Sequence, residues 1–147
     1  MKVGEYIEQL CRLMPEVGHS DTETHFVDLN DDKRQTKIAK TLRYPYVMLI
    51  KDSERWDDDG EKIIEHYSLS VMTHVKDTGN YGEIERALSL ARQILMTIFA
   101  VMKENRHDRK IRWLTTASWS GEEVYDVENV DNAQYGKGCG FRVTVCP

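Results

Sequence analysis

Apolar residues Val3, Tyr6, Ile7, Leu10, Leu13 and Met14 recur at steps of three and four. That spacing predicts an amphipathic helix with Glu5, Glu8, Gln9 and Arg12 outside, ended by Pro15 and Gly18. Thr24–Leu29 alternates as a short strand, and the charged stretch Asn30–Lys40 reads as a surface loop or a weak helical turn. Tyr44–Ile50 reads as a strand with Pro45 at its start, where no ladder bond is lost. Lys51–Gly60 is a polar excursion closing on the turn Asp57-Asp58-Asp59-Gly60.

Glu61–Lys76 follows as a long extended segment. Ile63, Tyr67, Leu69, Val71 and Val75 share one face, and His66, Ser68, Ser70 and His74 share the other. Sixteen residues is long for a strand, so a bend or bulge is expected. A helix is predicted from Tyr81 to Asn105, with the stripe Ile84, Leu88, Ala91, Leu95, Ile98, Met102. From Ile94 to Met102 nearly every position is apolar, more than one sheet can cover. Ile111–Trp119 reads as a strand, Glu123–Val127 as a short one and Gly138–Cys146 as the last. The pattern predicts a single domain over residues 1–147 of α+β class. Its sheet is mainly antiparallel, with the N-terminal helix and the long helix of the C-terminal half on one face.

Composition narrows the function. The chain of 147 residues carries net charge −5, 40% hydrophobic and 31% charged residues, which fits a folded domain and not a disordered one. The acidic balance is poor for neutralising phosphates, so no specific nucleic acid is expected. No run approaches the ~20 apolar residues of a membrane span, and the N-terminus shows no signal-peptide pattern. Cys11, Cys139 and Cys146 form no CxxC pair and read as reduced thiols.

Candidate chemistry is sparse. The five histidines make no HExxH, and placing Gly60 at position six of a calcium loop puts Arg55 and His66 where carboxylates belong. Gly136-Lys137-Gly138-Cys139-Gly140 lacks the Ser or Thr and the following helix of a phosphate loop, and reads as a flexible entry to the last strand. Ser120-Gly121 is a turn pair, not a nucleophile elbow. No cofactor, metal or catalytic residue is expected, and the chain reads as a non-enzyme. Arg106–Arg112, beside Trp113, is the basic patch. Complementing the negative end of the long helix accounts for it better than nucleic-acid stacking does.

Arg43-Tyr44-Pro45-Tyr46-Val47-Met48-Leu49 opens an extended run. After it come the Asp57–Gly60 segment, the strand Ile63–Val75, the helix Glu83–Met102 and the closing strand Gly140–Val145. In this order, from Tyr44 to Val145, the chain resembles bacteriophage tail-completion or tail-terminator proteins, which join the tail tube to the head connector. It departs from them in a Trp-rich, acidic stretch between the long helix and the last strand. The resemblance implies a structural phage or prophage protein located in the virion tail and made in the bacterial cytoplasm. It also implies self-association as a ring, commonly of six, and docking to a tail tube or head–tail connector. The residues expected at these interfaces are Tyr44, Tyr46, Arg55, Trp56, Tyr81, Met96 and Phe99, with loops Asn30–Lys40 and Lys51–Gly60. The alternative is a small ligand-binding module whose apolar cavity is lined by Met72, Met96, Met102 and Trp113.

Overall fold

Val3, Tyr6, Ile7, Leu10 and Cys11 form the buried stripe of α1 (Val3–Leu13), the predicted N-terminal helix. The structure is a computed structural model and describes residues 1–30 and 41–147. The expected loop Asn30–Lys40 therefore lies, from residue 31 on, outside the described residues. The remaining elements are β1 (Thr24–Asp28), β2 (Leu42–Trp56), β3 (Ile63–His74), α2 (Tyr81–Glu104), α3 (Arg112–Thr115), β4 (Val124–Asn129) and β5 (Gln134–Val145). Two short 3-10 turns, Asn105–His107 and Val130–Asn132, complete the list.

The five strands order as β1-β2-β3-β5-β4. Only β1 and β2 run parallel; the other three pairs are antiparallel. The α+β class and mainly antiparallel sheet read from the sequence are therefore observed. Register sets the faces. Val47 pairs with Val71, Leu49 with Leu69, Leu69 with Cys139 and Tyr67 with Phe141. These side chains join those of α1 and α2 in one core cluster, so both helices cover the same face. The opposite, outer face carries Tyr46, Ser68, Ser70, Met72 and the glycines of β5.

Three expectations are corrected. First, β2 runs on to Trp56, well into the expected polar excursion, because Ser53–Trp56 pairs with Ile63–His66. The irregularity expected in the long strand falls instead on β2, between Lys51 and Ser53. The turn at Asp57–Gly60 is present, with the Asp57 carboxylate accepting from the Glu61 and Lys62 amides at 2.9 and 3.2 Å. Those amides, Lys62 first, hold that carboxyl below the usual range.

Second, Ile111–Trp119 is not a strand. Trp113 and Leu114 are consecutive and both buried, which a strand lying on one surface cannot achieve. The chain makes the single helical turn α3, closed by the Thr115 and Thr116 hydroxyls donating to the Arg112 and Trp113 carbonyls, each at 2.7 Å. The segment meets β5 at two points, the Thr116 hydroxyl accepting from the Thr144 amide at 2.8 Å and Ser118 forming a two-bond bridge to Arg142.

Third, the excess apolar circumference of α2 is mostly hidden by the chain itself. The segment after α2 curls back, so that Phe99 meets both Trp119 and Phe141, at 5.4 and 6.0 Å, in one aromatic cluster. Ile94, Leu95, Ile98 and Met102 are fully buried; Leu90 and Met96 stay exposed. Asn80 caps the helix, its side chain accepting from the Glu83 amide at 3.1 Å.

Candidate functional site

The expected interface residues divide into four groups. Tyr44 and Tyr46 come together near the start of β2, ring centroids 5.4 Å apart, with the His74 ring 5.2 Å from Tyr44. Gln134 donates to the Tyr44 hydroxyl at 2.5 Å, making a small aromatic and polar ledge at that end of the sheet. Burial pushes the Tyr46 phenol up. Arg55 and Trp56 sit at the far end of the same strand, and Trp56 is 57% exposed. Tyr81 opens α2 and is the most exposed aromatic among the described residues, at 81%. Met96 is exposed on α2, whereas Phe99 is buried to 3% and belongs to the core, not to the surface.

The four residues expected to line an apolar cavity do not meet in one. Met72 is buried on the outer sheet face, Met102 in the core and Met96 is exposed. Trp113 borders a cleft of about 1150 Å³ between α1, β1 and the ends of β3 and β5. Charged side chains such as Glu5, Glu8, Arg12, Asp28, Lys51 and Glu65 line much of that cleft, so it offers no apolar pocket.

A cluster that sequence reading missed lies on the outer face. His66 Nδ1 is 3.0 Å from Asp52 Oδ2, and its Nε2 is 2.7 Å from Glu122 Oε1. Ser68 donates to the same Asp52 oxygen at 2.5 Å. Arg142, directly across the ladder from His66, donates to the Ser120 carbonyl. The Ser68 hydroxyl thus bonds a carboxylate and not the imidazole, so no Ser–His nucleophile pair is assembled here. The cluster instead ties the Glu122 loop onto the sheet. Residues 66 and 122 are 56 apart in sequence, so no local spacing could reveal their contact.

The glycines of β5 serve this same packing. They lie inside the strand and not at a flexible entry to it. A Cβ at Gly138 would stand 2.7 Å from the Tyr125 ring, and one at Gly140 would stand 2.4 Å from the Glu122 carboxylate. Bare backbone lets both side chains lie flat on the sheet.

His19 and His25 are buried and held by hydrogen bonds. His19 Nδ1 accepts from the His25 amide at 3.0 Å, and its Nε2 lies 3.1 Å from Glu8. His25 Nδ1 lies 2.7 Å from the Pro45 carbonyl. Among the described residues no three His, Cys, Asp or Glu gather as a metal site, and no helix is long and apolar enough to cross a membrane. Trp113 is 8% exposed, meets Tyr6 edge-on at 5.4 Å and donates its Nε1 hydrogen to the Met1 carbonyl at 2.8 Å. Its ring is spoken for and cannot stack on a base beside the basic patch. Comparison with models of known protein families and with curated proteins returns no match.

The thiols follow burial. Burial, aided by Glu8, pushes Cys11 up to about 12; burial also raises Cys139, while Cys146 is exposed. At pH 8 in native conditions an excess of an aromatic disulfide reagent should therefore titrate one thiol, removed by Cys146→Ser. Rapid reaction of Cys11 would contradict this packing.

Proposed function

We propose that this chain is a structural phage or prophage subunit of the tail-completion or tail-terminator type, acting by self-association as a ring and by docking to a tail tube or head–tail connector. The resemblance running from Tyr44 to Val145 is one support. The observation that carries the reading is the separation of the exposed aromatic side chains. Tyr44 is 38% and Trp56 57% exposed, at opposite ends of the single strand β2. Twelve residues at ~3.3 Å each put them about 40 Å apart. A joining subunit needs contacts on two opposed ends, and large aromatics are the side chains that most often anchor such contacts.

Particles produced by the encoding phage or prophage provide the test. Mass spectrometry of purified virions should find the chain in a few copies, and electron microscopy of the concentrated protein should find closed rings. Trp56→Ala should leave the circular dichroism spectrum unchanged and reduce incorporation at least tenfold, about 1.4 kcal/mol of docking energy. Virions without the chain, together with a protein that stays monomeric at every concentration, would overturn the reading.

A further inference from the structure

We infer that the acidic outer edge of β4 docks against the basic segment 103–112 of a second copy of this chain, head to tail. This inference rests on the ring reading above and names the surfaces that close the ring.

β4 ends the sheet order, so among the described residues no strand pairs with its far edge. It adds almost nothing to the core: five of its six residues are exposed and Val127 is half-buried. Val124, Tyr125 and Val130 leave 45%, 43% and 56% of their surface to solvent. An unpaired, partly apolar edge is a template for another chain. Its charge selects which one.

From Glu122 to Asp131 the chain has five carboxylates and no Lys or Arg. Glu122 is engaged by His66 and Asp126 by Lys137. Glu123, Glu128 and Asp131 make no ion pair among the described residues. If two β4 edges met across a two-fold axis, these carboxylates would be brought against their own copies, which is destabilising. The edge therefore calls for a different, basic surface.

The same chain carries one. Residues 103–112 hold Lys103, Arg106, Arg109, Lys110 and Arg112 against Glu104 and Asp108. Lys103 lies over the Trp119 ring, 5.0 Å from its centroid. The other four cations are exposed and, among the described residues, have no ion pair and no bond to the β4 region of their own subunit. The helix dipole acts only within its last turn, so it accounts for Lys103 and leaves Arg109, Lys110 and Arg112 unexplained. The segment is held at both ends, by α2 on one side and by buried Trp113 on the other, so little freedom is lost when it is covered. Two different patches that complement each other make a heterologous contact, and such contacts close into rings or run on as filaments.

Charge reversal tests this directly, read by sedimentation velocity in low and high salt. Wild-type protein should assemble in low salt and dissociate progressively as salt screens the contact. E123K/E128K and R106E/R109E should each lower the association constant at least tenfold. All sites are exposed, and E123Q/E128Q provides a milder variant that should weaken assembly less. Mixing the two reversed proteins, or combining all four changes in one chain, should restore assembly to within about threefold of wild type. A ring unmoved by either reversal would overturn this interface while leaving the ring reading intact. A chain monomeric throughout would overturn both. Binding of duplex DNA that R106E/R109E abolishes, with assembly unchanged, would assign the basic segment to nucleic acid and overturn the inference.

Discussion

Phe141→Ala should lower the unfolding free energy by about 3–5 kcal/mol, the range for removing a large aromatic side chain from a closed core. Phe141 is fully buried on β5. Its ring stacks on Tyr67 of β3 at 5.4 Å and lies 6.0 Å from Phe99 of α2 and 6.2 Å from Trp119. One side chain thus joins the central strands, the long helix and the segment that folds back over it. The cavity cannot collapse easily, because three rigid rings line it. Urea denaturation should show a reduced midpoint with an unchanged slope. A loss under about 1.5 kcal/mol would mean that the aromatic group repacks, and that Trp119 is not fixed as described.

Gly136→Ala should cost about 3 kcal/mol, at the upper end of overpacking penalties. Gly136 sits in β5 opposite Met72 on one side and Val127 on the other. A Cβ there would stand 2.1 Å from the Val71 carbonyl oxygen and 2.7 Å from the Met72 sulfur. The nearest atom is backbone, so β3 and β5 must separate and weaken their ladder. At Gly140 the intruding atoms are the ends of the Glu122 and His66 side chains, which can swing aside. Gly140→Ala should therefore cost clearly less. For a chain of this size the Gly136 loss corresponds to a fall in Tm of roughly 6–12 °C. Equal effects at the two glycines would show that the close approach of β3 and β5 is not rigid.

Much of the scaffold was legible in the sequence. The three- and four-residue recurrence of Val3 to Leu10 and of Ala91 to Met102 depends on the helical repeat alone, and both stripes are buried as expected. Alternation along Ile63–Val75 sorted Tyr67, Leu69 and Val71 from His66 and Ser68 before any partner strand was known. Asp57–Gly60 announced its turn because the side chain and glycine that close it are neighbours in sequence. Errors fell where a segment's shape depends on distant residues. Ile111–Trp119 has the composition of a strand but was recruited as a cover for α2. Lys51–Trp56 is too polar to read as a strand, yet it pairs with β3 for its whole length past the bulge.

The candidate surfaces follow the same division. Tyr44, Trp56 and Tyr81 could be picked out as aromatic side chains in polar settings, and they are exposed. Phe99, equally apolar, is buried because Trp119 and Phe141 close over it. Periodicity, turn chemistry and charge are properties of neighbouring residues, so the chain alone determined its two long helices, the alternating faces of its central strand and the position of its basic and acidic stretches. Which strand pairs with which, which of two apolar helix faces finds cover, and the meeting of Asp52, His66 and Glu122 were decided only in three dimensions. Each of those depends on contacts between residues tens of positions apart, whose energy appears only once the sheet has formed.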